Sequence, residues 1–151
     1  MTNNLEQLKA DYKKLGETIE RMEDGSKPEE GARYFTVSYG EICYKTWDND
    51  TIDNSAYKTG NIYRTRELAE RARDRLILIE ELKDFADFVT DWNDHSQDKY
   101  RLYYDHLWGR WGYMSSAYSQ NAFILPHFPT VDRIEEAIEH FGDRLNLLLE
   151  G

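Results

Sequence analysis

The chain has one cysteine, no long apolar run and no glycine-rich phosphate loop, and each absence removes a class of protein. Cys43 lacks a second cysteine for an internal bridge. Its run, Glu41 to Trp47, alternates like a strand, so a half-buried free thiol and a reducing compartment are expected. Met1 to Ala10 is polar without a basic-then-apolar region, and no apolar stretch reaches the roughly eighteen residues of a membrane span. Neither a signal peptide nor a membrane span is predicted, so a cytoplasmic location is expected. The Asn49-Asp50-Thr51 sequon then has no glycan to receive.

Recognisable catalytic chemistry is also missing. His95, His106, His127, His140 and Cys43 are scattered, with no pair at a spacing suited to zinc. Ser115-Ser116 lies in no glycine-flanked elbow, and neither phosphate-binding glycine pattern is present. Adjacent acids such as Glu80-Glu81 and Glu135-Glu136 diverge by about 100° on a helix and do not face one another. Asp48 to Asn54 begins like a calcium loop, with oxygen-bearing residues at alternate positions, but it lacks the turn glycine and the closing glutamate. It reads as a solvated polar loop. A non-enzyme without metal or cofactor is expected.

What the 151 residues do hold is charge and aromatic surface. The formal net charge is −10, and eleven of the 21 aromatic residues are tyrosine. Excess carboxylate repels phosphate backbones and anionic membranes, which disfavours direct nucleic-acid binding. Tyrosine suits contact surfaces. A chain of this length buries roughly two-thirds of its unfolded surface on folding and needs no disulfide to be stable.

The periodicities predict an α+β protein: an N-terminal helix followed by two strand-strand-strand-helix units with antiparallel sheet. Leu5, Leu8, Tyr12, Leu15, Ile19 and Met22 recur at 3-4-3-4-3 spacing, one stripe of a helix over residues 1–25. Asn4 and Gln7 read as a capping box and Gly25 as the stop. The stripe follows a heptad for barely three repeats, so it either packs on its own domain or pairs two chains. Residues 26–33, with Pro28 and Gly31, form a linker.

Residues 34–98 make the first unit. Tyr34 to Tyr39 and Ile42 to Thr46 form a hairpin about Gly40-Glu41, and Ala56 to Tyr63 a third strand. Thr65 caps a helix whose apolar face is Leu68, Ala69, Ala72, Leu76, Ile79, Leu82 and Ala86. Residues 99–151 repeat the order. Tyr100 to Asp105 and Trp111 to Ser115 are strands about a turn at His106 to Gly109, Ala122 to Leu125 is a third run, and Thr130 caps a helix that ends at Gly142. At a gapless offset of 65, Phe35 meets Tyr100, Ile42 meets Leu107, Tyr63 meets Phe128 and Thr65 meets Thr130, the pattern of an internal duplication.

Tyr57 to Glu70, a tyrosine, a Thr-Gly-Asn turn, an aromatic residue, a threonine cap and an acidic helix start, resembles a group of small, uncharacterised proteins carried by phages and prophages of Gram-positive bacteria. Lys99 to His106 is similar to that group's later strand. The resemblance implies a mobile-element origin and brings no active site. The motif is read as architecture: Gly60 permits the turn, Asn61 tolerates unusual backbone angles and Thr65 caps the helix.

Two surfaces carry the functional expectation. Between Glu80 and Asp98 seven acids and one base, Lys83, supply −6 of the net −10. If the helix continues through this stretch, Glu80, Asp84, Asp87, Asp91, Asp94 and Asp98 form one stripe, with about 5 Å between neighbours along the axis. Such a row either is a solvated face that frays near Asp91 or imitates the phosphate line of a nucleic acid. The second surface is Trp108 to Tyr113. Trp108 or Tyr113, if exposed, anchors a partner; otherwise these rings are core.

The leading expectation is a phage-borne, anti-CRISPR-like inhibitor that presents an acidic, DNA-mimicking surface to the basic channel of a host nuclease. One alternative is a sponge for a nucleotide immune signal, with Arg64, Arg66, Arg71, Arg73 and Arg75, or Arg101 and Arg110, as phosphate ligands. Another is an assembly accessory that self-associates through the first helix.

Overall fold

A computed structural model describes the backbone of residues 2–23, 27–116 and 125–149, and the side chains of 4–16, 27–116 and 125–149. The chain is α+β. Its elements are α1 (Thr2–Glu23), β1 (Arg33–Ser38), β2 (Glu41–Thr46), α2 (Thr51–Lys58), α3 (Arg66–Ala86), β3 (Tyr100–Asp105), β4 (Arg110–Ser115), α4 (Val131–Phe141) and a closing 3-10 helix, Gly142–Leu149. They fall into two compact units, Met1–Arg73 and Asp74–Gly151, with the division inside α3.

In the first unit α1 begins at Thr2, so Asn4 lies inside the helix and the expected capping box does not form. Gln7 instead donates to Asp11 one turn on, at 3.0 Å. The expected stop at Gly25, and the side chains of Ile19 and Met22, lie outside the described residues. The linker ends inside the sheet: Gly31 N–H bonds Trp47 O and Trp47 N–H bonds Ala32 O, both at 2.8 Å. β1 and β2 pair antiparallel with Ser38 opposite Glu41, which puts the turn at Tyr39-Gly40 and not at Gly40-Glu41. Both turn residues have positive φ, 52° and 79°. A two-residue connection matches the twist of its strands only in that mirror-image form.

Strand alternation buries Tyr34 and Thr36, with Trp47 beyond β2 and Ala69 on α3. The expected polar loop at Asp48 to Ser55 is half helix. Asp50 caps α2 by accepting from Asp53 N–H at 2.7 Å, while the Asp53 carboxylate reaches back to Asp50 N–H at 3.3 Å. The alternate oxygens that resemble a calcium loop are this capping box. Since α2 takes Ala56 to Lys58, the expected third strand shrinks to one bridge, in which Tyr63 and Phe35 exchange both backbone bonds. The next rung is made by a side chain. Asn61 accepts from Val37 N–H through Oδ1 (2.8 Å) and donates to Val37 O through Nδ2 (2.9 Å). Asn61 therefore supplies a ladder step; it is absent from the residues with positive φ, whereas Gly60 has φ 72°.

The second unit repeats the bridge at the same offset. Tyr100 and Phe128 exchange both bonds, at 2.9 and 2.8 Å, and Thr130 caps α4 on Arg133 N–H as Thr65 caps α3 on Leu68 N–H. The offset fails across the hairpin: β3 and β4 join through four residues, His106 to Gly109, so Leu107 is in the turn while Ile42 is in β2. Ala122 to Ile124 of the expected third run lie outside the described residues, and Leu125 is not in a strand. The core is Leu78, Leu82 and Ala86 from α3, Leu102, Phe128, Ile134, Ala137, Phe141 and Leu145. Leu78 was missing from the expected apolar face of α3, and Leu68 and Leu76 of that face are exposed.

Candidate functional site

The acidic stretch starts on α3 but does not continue as a helix. α3 ends at Ala86, and Asp87 turns the chain with φ 42°, so the single stripe of six carboxylates is not formed. Turn-forming residues explain the break: Asp91 accepts from Asn93 N–H at 3.0 Å, and Asp94 accepts from Ser96 N–H at 3.0 Å and Ser96 Oγ–H at 2.6 Å. The loop is pinned from within by Lys99, a fully buried cation that donates to Asp94 O (2.9 Å) and Gln97 O (3.2 Å) and lies 5.3 Å from the Trp92 ring centre. A lone lysine before a tyrosine gave no signal of this role.

Glu80, Asp84, Asp87, Asp91, Asp94 and Asp98 are nonetheless all exposed. The one base in the stretch, Lys83, is paired to Glu80 at 2.8 Å. The Ser96 hydroxyl, and after it Ser96 N–H, hold the Asp94 carboxyl below its ordinary titration range. The surface therefore consists of one helical turn followed by an ordered acidic loop.

The aromatic candidates divide. Trp108 is 70% exposed at the β3–β4 turn, beside Leu107 at 86%. Asp105 fixes that turn, its carboxylate accepting from Leu107 N–H (2.9 Å) and Trp108 N–H (3.2 Å). Tyr113 is engaged within its own unit. It is half-buried, edge-on to Tyr100, and donates its hydroxyl to Glu135 at 3.0 Å, the contact that chiefly pushes its pKa up. Trp111 packs against the core and donates to Asn146 at 3.1 Å.

The first hairpin carries a residue that sequence reasoning passed over. Tyr39 is fully exposed and sits at φ 52°, a backbone region costly for a ring-bearing residue and easy for asparagine or glycine. Its signal was the Tyr-Gly turn, read one residue late. A large aromatic thus stands at the tip of each hairpin.

The most polar buried group of the first unit is structural. Asp53 is fully buried, accepts from the Tyr34 hydroxyl, and accepts from Asp48 N–H at 2.7 Å. Burial pushes its pKa up, but the Tyr34 bond, the two backbone N–H groups and the charge of Lys45 together leave it below the ordinary value. The pair ties α2 to β1. Three of the arginines proposed as phosphate ligands have partners of their own: Arg66 pairs with Glu70, Arg71 with Glu67, and Arg75 donates to Leu147 O at 2.8 Å. The described residues hold no cluster of three metal-ligating side chains, and no described helix is long and apolar enough to cross a membrane.

Comparison with family models, curated proteins and solved structures gives no match to this chain.

Proposed function

We propose that the chain is a non-enzymatic binding protein of phage or mobile-element origin that inhibits a host nucleic-acid-handling protein, such as a defence nuclease, by presenting its acidic surface to a basic channel. The observation that supports this reading is the exposure of six of the seven acids between Glu80 and Asp98 on a hydrogen-bonded frame, with the stretch's one base paired to Glu80. Neighbouring like charges are unfavourable by a few tenths of a kcal/mol each, a cost that a basic partner removes. Complementary charge mainly raises the association rate and is screened by salt over about 8 Å. Trp108, aromatic and solvent-facing at the hairpin tip of the same unit, is the apolar anchor such a contact needs.

The test uses the full chain as bait in a lysate of a Gram-positive host, followed by DNA-binding assays on each captured nuclease. Asp84→Lys combined with Asp98→Lys reverses charge at side chains that hold none of the loop's hydrogen bonds. The wild type should displace DNA, the variant at least tenfold less well, and added salt should weaken both. Displacement that ignores charge reversal, or capture of no nucleic-acid-handling protein, would sink the proposal.

A second reading has its own observation. Leu5, Leu8, Tyr12 and Leu15 are between 56% and 81% exposed, so the described part of the α1 stripe is not covered by its own unit. The heptad spacing fits a second copy of the same helix, and α1 then serves self-association.

A further inference from the structure

The two units finish the same rung of their sheets differently. In antiparallel pairing, residues that exchange both backbone bonds alternate with residues that exchange none. Phe35 with Tyr63 is such an exchanging pair, so Val37 turns its N–H and C=O to the same edge, where the Asn61 carboxamide satisfies both. Tyr100 with Phe128 is the equivalent pair, and Ser116 N–H to Lys99 O confirms that odd positions face β4. Leu102 therefore turns its N–H and C=O to the free edge of β3. The residue opposite it in register is Pro126, which has no N–H to give. Among the described residues neither backbone group of Leu102 has a partner.

That edge opens on a cavity of about 320 Å³, lined by Leu102, Tyr104, Trp111, Leu125 and Leu148, with Arg101 and His127 also in its wall. The volume is at the lower end for a small-molecule site, and the lining is mostly apolar with a few polar groups, as such sites are. Arg101 and His127 face each other across the bridge, and each carries a buried nitrogen, Nε and Nε2, without a partner among the described residues. The nearest polar contact of the guanidinium is the weakly accepting Met114 sulfur. Buried polar nitrogens left unmatched in this way cost about 1–3 kcal/mol each, which a suitable ligand would recover.

We propose that this cavity binds a small planar aromatic amide, a carboxamide or the lactam edge of a heterocycle. Its N–H and C=O take the place opposite Leu102 that the Asn61 carboxamide takes opposite Val37. Its ring lies against Tyr104, Trp111 and the leucines, and a further acceptor on the ring meets Arg101 or His127. The site is independent of the acidic surface.

The probes are benzamide and uracil, with benzoate as the isosteric control that offers acceptors but no amide N–H. Titrated into the full chain and followed by amide NMR, benzamide and uracil should shift the Leu102 N–H saturably, and benzoate should bind at least tenfold more weakly. Pro126→Asn, which places a carboxamide where the first unit has one, should keep the fold and abolish the binding. Benzoate binding as tightly as benzamide would instead assign an anion site, and both that result and the absence of any saturable shift at the solubility limit would overturn the proposal. So would unchanged benzamide binding in a folded Pro126→Asn.

Discussion

The hydroxyl of Tyr34, on β1, donates to the fully buried carboxylate of Asp53, on α2, and this bond links strand to helix across nineteen positions of sequence. Both partners are shifted from their ordinary titration ranges, in opposite directions. Asp53 titrates below its ordinary 3.8 when folded, so it binds its proton more weakly than in the unfolded chain. Its contribution is complete above the unfolded value and is lost as pH falls through the folded one. Tyr34 is shifted the other way, chiefly by burial and then by Asp53, to well above its ordinary 10.0. Its contribution is complete below 10.0 and is lost as pH rises beyond it. Urea midpoints of Asp53→Asn and wild type should differ most at neutral pH, by about 1–3 kcal/mol in stability. The two curves should converge as pH falls through the folded value of the Asp53 carboxyl. Curves that stay parallel from pH 7 to 2 would show that the carboxylate carries no such role.

Asn61 offers a cleaner measure of one ladder step. Asn61→Ala leaves the N–H and C=O of Val37 unmatched at a half-buried edge, with an expected cost of about 1–3 kcal/mol. Hydrogen exchange should report the loss first at the Val37 amide. An unprotected Val37 amide in the wild type would argue that the side-chain rung does not form in solution.

Much of this frame was legible in sequence because it rests on local chemistry. The alternation at Tyr34 and Thr36, the caps at Thr65 and Thr130 and the glycine at Gly142 each act within a few residues, and each stands where expected. What stayed hidden depended on long-range partners. Asp53 reads as a loop acid until Tyr34 is folded over it, and Lys99 reads as a surface base until the 87–98 loop closes around it. The third strand of the first unit was misread because residues with strand character, Ala56 to Lys58, were claimed by a helix whose capping box looked like a polar loop. The acidic stripe failed for a related reason: a regular spacing of carboxylates is only a stripe if the helix persists, and Asn93, Asp94 and Ser96 favour turns.

Tyr39 separates stability from binding. Replacing it by asparagine, which tolerates positive φ, should raise the stability of the first unit by about 1–2 kcal/mol, because a left-handed conformation is disfavoured by about that much for other residues. If the exposed ring is a partner anchor, the same variant should lose at least tenfold in affinity for the captured nuclease. Thermal denaturation and the DNA-displacement assay together decide it. A stabilised variant with undiminished affinity would leave Tyr39 as an unoptimised turn residue.

The exposed stripe of α1 predicts a concentration-dependent dimer. A helix with Leu5, Leu8, Tyr12 and Leu15 facing water draws little stability from its own unit, and helices gain most of theirs from packing an amphipathic face. Pairing two stripes removes these side chains from water, at about 25 cal/mol per Å² of apolar area. Leu8→Glu and Leu15→Glu introduce charges at the centre of that contact while leaving helix propensity nearly unchanged. Sedimentation of the full chain should show wild-type dimer and variant monomer at the same concentration, with the β-sheet signal intact. A wild type that remains monomeric at millimolar concentration removes the homodimer, and the stripe then has to be assigned to a different partner.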